Sequence, residues 1–452
     1  MDRHIREFQT LAEYKVFTGT SEFIKPNVSR CVENNEVYMT PYVHDYSQDY
    51  LTFVAAESGT FKLSGNSVNY SLDNGETWAT LASNTDSPTV NAGEKILWKS
   101  TLTPTFNIGI GRFISTASFS VEGNPMSLLY GDDFKNQTSL VGNDYAFYKL
   151  FSGCTTLTSA ENLSLPATTL VSYCYDYMFS DCTSLTAVPE LPATTLAANC
   201  YYSMFGHCTS IISVPSKLPA TTLEQSCYAY MFESCTSLSS VPMDLLPATT
   251  LATSCYYEMF VGCTNLSTAP SLPATTLASR CYSDMFSGCT SLTAAPELLA
   301  TTLADYCYYA MFQRCYSLTQ VQDTLPATTV PEFCYQNMFA ACRSLTKAPQ
   351  LPATTLTRYC YAYMFSNCSG LTTAPVLSAA TLAENCYRTM FLNCNNLSSL
   401  TCLATDISAT NCTKDWVSGF AASGTFTKAA SMTSWTTGVN GIPSGWAVQD
   451  AT

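Results

Sequence analysis

Cys174-Tyr-Asp-Tyr-Met-Phe-Ser-Asp-Cys-Thr-Ser-Leu-Thr-Ala-Val-Pro-Glu-Leu-Pro-Ala-Thr-Thr-Leu196 is one copy of a unit that the chain repeats along most of its length. Its first half, Cys-Tyr-x-x-Met-Phe-x-x-Cys, occurs nine times, with first cysteines at 174, 200, 227, 255, 281, 307, 334, 360 and 386. The steps are 26, 27, 28, 26, 26, 27, 26 and 26 residues. A period this constant means one supersecondary unit stacked on copies of itself, a solenoid whose inserted residues bulge into loops. Such a stack offers an extended surface for binding and rarely performs chemistry.

Within a unit, the spacing of Cys174, Met178 and Cys182 predicts a short helix. These positions drift by only about 80° around a helix, so they form one inward stripe. Ser184 to Leu191 reads as a strand with Leu185, Val188 and Leu191 inward and Pro189 at its end. Threonine pairs such as Thr168-Thr169, Thr194-Thr195 and Thr221-Thr222 are expected to stack as β-branched ladders. The tyrosine after each first cysteine, from Tyr175 to Tyr387, reads as a structural column because every copy has it.

The expected fold is mainly β with short helices. Residues 1–45 form an N-terminal anchoring arm, in which Ile5, Phe8, Leu11 and Ala12 have the spacing of a short amphipathic helix. Its apolar face either inserts into a neighbouring subunit or packs on the next domain. Residues 46–130 read as a small antiparallel Ig-like β-sandwich. Its strand runs are Tyr50–Val54, Gly59–Leu63, Val68–Leu72, Lys95–Trp98, Phe106–Ile110 and Ala117–Val121, with a hairpin signal at Asp73-Asn74-Gly75. Residues 131–403 are the solenoid, opened by a degenerate copy ending at Cys154 in which Leu150 and Phe151 replace Met-Phe. Residues 404–452 abandon the repeat and form a C-terminal cap carrying Trp416, Trp435 and Trp446.

Eighteen of the 22 cysteines are the repeat pairs. Two residues eight apart in a helix are separated by about 12 Å of rise, too far for a disulfide within one copy. The reading is reduced thiols packed as small hydrophobes in two ladders. Bridges between adjacent copies and a metal site are the alternatives, although there is no Cys-x-x-Cys and only His4, His44 and His207 are available as imidazole ligands. No cofactor and no metal is expected.

The 452-residue chain is 46% hydrophobic, enough for well-packed cores, but only 12% charged, about half the usual share. A net charge of −14 excludes nucleic acid as a partner, since no basic stripe exists to neutralise phosphates. No run approaches the length of a membrane span, so membrane insertion is not expected. The N-terminal residues show no apolar signal region, which makes release by virion assembly and lysis the simplest route to an exterior.

A catalytic reading finds little support: the carboxylates of the repeats occupy variable positions and no nucleophile and base stand at recognisable spacing. The pair Asp132-Asp133 reads as a turn or cap. Binding is better placed where copies differ. The two positions after each repeat tyrosine put Tyr177, Tyr202, Tyr230, Tyr257, Tyr309 and Tyr363 on one exposed helix face. Rigid amphipathic tyrosines make good contacts to proteins and glycans. A solvated face with incidental aromatics is the other reading.

Phe179-Ser-Asp-Cys-Thr-Ser-Leu-Thr186 and Phe286-Ser-Gly-Cys-Thr-Ser-Leu-Thr293 resemble the BspA-like branch of leucine-rich repeats, in the Leu-Pro-Ala-Thr-Thr-Leu and Cys-Tyr-x-x-Met-Phe variant of gut Bacteroidetes and their phages. The resemblance covers residues 145 to 445 and includes the ending Trp435-Thr-Thr-Gly-Val-Asn-Gly-Ile-Pro-Ser-Gly-Trp446. It implies adhesion by a solenoid without catalytic residues. The expected function is a structural and adhesive virion component of a tailed phage, fibre-like or decorating. It would contact a host surface protein or glycan through the solenoid and other virion or surface proteins through the arm, and assemble as a homo-oligomer. A bacterial cell-surface adhesin is the alternative, and a carbohydrate-active enzyme on a repetitive β scaffold the third.

Overall fold

The computed structural model describes residues 44–452 and the backbone of 5–7, 28–33 and 36–41. The chain is mainly β with few helices: among the described residues the one α-helix is α1, Ser127–Tyr130, beside 3₁₀ turns at Tyr46–Gln48 and Gly131–Asn136.

At the N-terminus β1 (Ile5–Glu7), β2 (Val28–Glu33) and β3 (Glu36–Pro41) form an antiparallel sheet. The helix expected from Ile5 onward is therefore replaced by a strand over its first turn, where the backbone of Ile5 to Glu7 pairs with Cys31 to Ser29. Phe8 and Leu11 lie outside the described residues.

The next unit contains β4 (Leu51–Ala55), β5 (Phe61–Ser64), β6 (Val68–Ser71), β7 (Ala79–Leu81), β8 (Lys95–Lys99), β9 (Arg112–Ser115) and β10 (Phe119–Gly123). Alternation places Phe61 and Leu63 of β5, and Phe119 and Val121 of β10, in the core. Phe53 is the centre of that core, with ring centroids 5.4 Å from Phe61, 5.4 Å from Trp98 and 4.8 Å from Phe113. Asn74 and Gly75 take φ of 58° and 91° in the connection between β6 and β7. The strand expected at Phe106–Ile110 is instead a tight turn, because Asn107 and Gly109 adopt φ of 58° and 67° and Thr105 bonds back to Gly109. This turn leaves Phe106 and Ile108 exposed.

The sheet does not end with this unit. Its order is β11-β10-β4-β8-β6-β7, and β11 (Leu157–Leu163), which follows the degenerate copy, pairs parallel to β10. The repeats thus begin on the edge of the preceding sheet and leave that edge covered.

The repeat segment from Cys174 to Cys182 is not helical. It is a series of overlapping β-turns in which every fourth residue, Tyr173, Tyr177 and Asp181, has a left-handed φ of 59°, 54° and 61°. Amide hydrogen bonds alternate. Those of Met178, Ser180 and Cys182 go to the carbonyls of Tyr175, Tyr177 and Phe179 three residues back. Those of Tyr175, Tyr177, Phe179 and Asp181 cross to Cys200, Tyr202, Met204 and Gly206 of the next copy, each at 2.9 Å. Every turn consequently depends on its neighbour for half its backbone pairing, and the stack is held together along its length.

A strict period of four keeps Cys174, Met178 and Cys182 on one inner line and Tyr175 and Phe179 on another, all of them buried. Copies align these lines into columns. Tyr175, Tyr201, Tyr228 and their successors to Tyr387 stack nearly parallel at 5.5 to 6.2 Å, opened by Phe147 and closed by Trp416. A second column runs from Phe151 through Phe179 to Phe391. Phe113 stacks on Phe151, so the second column continues into the core of the preceding sheets.

On the opposite side of each copy, the expected strand Ser184–Leu191 is reduced to isolated parallel bridges such as Ser159↔Ala187, although Leu185, Val188 and Leu191 point inward as expected. Thr169↔Thr195, Thr222↔Thr250, Thr276↔Thr302 and Thr329↔Thr355 form the threonine ladder. Residues 411–420 do not abandon the repeat at once. Asn411, Asp415 and Gly419 carry the same left-handed positions, and the amides of Tyr387 and Phe391 bond to Cys412 and Trp416. On either side of them in the chain, β12 (Ser399–Cys402), β13 (Thr425–Lys428) and β14 (Ala447–Asp450) make a parallel sheet, and Trp435 stacks on Trp416 at 5.5 Å.

Candidate functional site

The second position after each repeat tyrosine is a left-handed one: Tyr177, Ser203, Tyr230, Glu258, Asp284, Ala310, Asn337, Tyr363 and Thr389 all have φ between 47° and 60°. It is the third residue of a hydrogen-bonded turn, a place that favours Gly or Asn. The first position after the tyrosine, Tyr202 or Tyr257 for example, precedes it on the same outer side. The six candidate tyrosines are therefore presented by turns rather than by a helix, and they are half-buried rather than exposed.

Four of them form one file. Ring centroids of Tyr177 and Tyr202 are 5.5 Å apart, those of Tyr202 and Tyr230 5.2 Å, and those of Tyr230 and Tyr257 5.2 Å, with interplanar angles of 54° to 75°. The file zigzags because the tyrosine alternates between the two variable positions in successive copies. Tyr148 extends it at 6.3 Å from Tyr177. Tyr309 lies in the adjoining depression with Tyr257, whereas Tyr363 stands outside both depressions.

Two cavities follow the file. The first, about 420 Å³, is lined by Lys149, Tyr177, Tyr202, Tyr230, His207 and Glu233 together with serines 152, 180 and 203 and Asp181. The second, about 380 Å³, is lined by Tyr257, Arg280, Ser283, Asp284, Tyr306, Tyr309, Phe333 and Gln336. A further aromatic ladder, one residue before the first cysteine, borders them: Tyr306, Phe333 and Tyr359 stack at 4.5 and 5.1 Å, and Tyr145 stacks on Tyr173 at 4.7 Å. Sequence reasoning missed this ladder. Its signal was the aromatic residue immediately before Cys174, Cys307, Cys334 and Cys360. Phe106, on the exposed turn, lies 5.1 Å from Tyr145 and continues the aromatic surface onto the preceding unit.

The face is acidic. Burial holds the carboxyl of Asp284 up at about 6 and raises that of Glu233, to which the neighbouring Glu258 adds repulsion. Asp176, beneath Tyr177, is 5% exposed with no partner for Oδ1, and burial raises its carboxyl to about 8 against the pull of Lys149. Tyr230 donates its hydroxyl to Glu258 Oε1 at 3.4 Å. The pair Asp132-Asp133 sits elsewhere, in the 3₁₀ turn, in keeping with its reading as a turn, and there Asp132 accepts hydrogen bonds from Lys99 Nζ and Tyr50 Oη and is held below the usual carboxylate range. Among the described residues no three His, Cys, Asp or Glu side chains gather as a metal-ligand set, and no helix is long and apolar enough to cross a membrane.

All nine second cysteines of the copies, Cys182 to Cys394, donate Sγ–H to the phenylalanine carbonyl of the preceding copy at 3.0 to 3.3 Å. The 21 described cysteines are unbridged and buried. The thiols are part of the stack and leave the outer face to the variable residues.

A family model described as BspA type leucine rich repeat region matches the chain in six copies, over residues 143–293, 229–346 and 308–411. No curated protein and no solved structure matches it.

Proposed function

From the premise that this chain belongs to the BspA-type leucine-rich repeat family, we propose that it is a non-enzymatic adhesive protein whose tyrosine file is the contact surface. The observation that carries the reading is the placement of Tyr177 and Tyr230 at left-handed positions. A non-glycine side chain there costs about 1 kcal/mol or more. Smaller residues fill the equivalent place in other copies, as at Ser203, Ala310, Asn337 and Thr389, so stacking alone does not call for tyrosine. The ligand is a surface protein or glycan of a host cell. The setting we assign is the particle of a tailed phage of Bacteroidetes, with the bacterial cell surface as the alternative. Residues 1–45 join the protein to a neighbouring subunit or another surface protein of a homo-oligomeric assembly.

Replacing Tyr202, Tyr230 and Tyr257 together with Ser tests the contact surface. Contact aromatics are worth about 1 kcal/mol or more each, so attachment of the labelled protein to host cells should weaken on the order of a hundredfold. Unchanged attachment with a lowered melting temperature would make the tyrosines structural. Immunogold labelling of purified particles against cell envelopes separates the two settings.

A further inference from the structure

Between its own cations the face leaves a gap. At one end Lys149 Nζ lies over the rings of Tyr148 and Tyr177, at 4.9 and 5.1 Å. At the other, the Arg280 guanidinium lies 4.7 Å over Tyr306, and Arg358 covers Phe333 and Tyr359 at 5.7 and 5.2 Å. Among the described residues no Lys or Arg covers the intervening rings, Tyr202, Tyr230 and Tyr257, and the three carboxylates Glu233, Glu258 and Asp284 stand beside them on successive copies. Among the described residues no Lys or Arg pairs with any of the three, and His207 approaches Glu233 only to 3.7 Å. These carboxylates lie close enough to repel one another, and burial weakens their solvation. Below Tyr177 the buried Asp176 adds a fourth carboxylate, whose Oδ1 has no hydrogen-bond partner.

We propose that the groove from Tyr202 to Asp284 is a receptor for arginine or lysine side chains of a partner polypeptide, each cation resting on a tyrosine ring and paired with Glu233, Glu258 or Asp284. This rests on the tyrosine file being the contact surface and names what it takes. Aromatic rings and desolvated carboxylates both favour a cation. The chain's own Lys149 and Arg280 show the mode at either end. Tilts of 54° and 75° between Tyr202, Tyr230 and Tyr257 leave no flat platform on which successive sugar rings would stack, which favours a polypeptide over a neutral glycan.

The test is calorimetric titration of the full chain with an acetylated, amidated peptide of alternating glycine and arginine, against the same peptide with citrulline, which is isosteric and uncharged. Arginine should bind and citrulline should not. Neutralisation by Glu233→Gln, Glu258→Gln and Asp284→Asn should weaken binding by about tenfold per carboxylate, with no loss of melting temperature, since it removes mutual repulsion. Binding should also fall as pH drops through about 6, where Asp284 takes up its proton. A control variant, Glu57→Gln, Glu297→Gln and Glu332→Gln, changes net charge equally at exposed sites and should bind normally.

Equal loss in the control would reduce the effect to the overall charge of −14 and overturn the site. Equal affinity for citrulline, or tighter binding of a neutral oligosaccharide such as cellohexaose, would overturn it too. Loss of cell attachment in the triple tyrosine variant, with no arginine-peptide binding by the parent, would leave the contact surface standing and sink only the basic partner.

Discussion

Two cysteines of one copy provide an internal comparison. Cys255 and Cys263 are both fully buried, and both thiols are pushed up to about 12 by burial. They differ in one respect: Cys263 Sγ donates to Phe232 O at 3.0 Å, while Cys255 Sγ makes no hydrogen bond. Truncating either to Ala removes a buried atom worth about 0.8 kcal/mol, close to a methylene. Cys263→Ala additionally loses a hydrogen bond of about 0.5 to 1 kcal/mol, at the low end of the usual range because Phe232 O retains the amide of Cys235. The expected destabilisation is thus about 1 kcal/mol at Cys255 and about 1.5 to 2 kcal/mol at Cys263. Urea unfolding followed by circular dichroism measures both, read as midpoint shifts at unchanged slope. Equal losses, or a greater loss at Cys255, would refute the view that the second cysteine is there for its thiol bond. A changed slope would show instead that the stack had broken into separately unfolding parts.

Tyr256 has a fully buried hydroxyl without a partner, so Tyr256→Phe should raise stability by about 1 kcal/mol in the same assay, and a loss would show that the hydroxyl is satisfied. Asp176 has a folded-state carboxyl near 8 against 3.8 ordinarily, so its contribution is complete below about pH 4 and is lost as pH rises towards 8. Asp176→Asn should therefore gain on the parent across that window and nowhere else, and a pH-independent difference would contradict the burial of an uncompensated carboxyl. The folded chain should leave nearly all of its 22 cysteines unlabelled by a thiol reagent at pH 8, and denaturation without reductant should release all of them. Recovery of only a handful would mean bridges between copies.

The period, the inward residues and the columns were legible because each rests on a residue type recurring at a fixed place. In the preceding unit, alternation located β4, β5, β6, β8 and β10, since each has one face in a shared core. It failed at Phe106 to Ile110, where the same alternation lies on a turn made by left-handed Asn107 and Gly109, and it passed over β7, which has one buried residue. The short strand β9 gave a weak signal of its own, and so did β11, whose buried residues Leu157, Ala160 and Leu163 do not alternate. The pairing of β11 with β10 joins residues about 40 apart and is set by where the first turn of the stack comes to rest.

The repeat turn shows why a correct face can accompany a wrong element. Cys174, Met178 and Cys182 share a side in a helix, with a drift of about 80°, and share it without drift in a structure of period four. Only the second keeps Tyr175 and Phe179 in register with them, and all five are buried. A helix would have spent every amide within its own copy, leaving nothing to bind one copy to the next. Placing a left-handed residue at every fourth position turns alternate amides outward, and those amides join copy to copy along the whole stack. The cue lay in the fourth positions themselves, where Asp181, Gly262, Gly288, Asn367 and Asn393 are residues that tolerate positive φ. Tyr177 and Tyr230 are bulky side chains held at such strained positions, and because they face outward beside the carboxylates Glu233 and Glu258, this is where binding is to be sought.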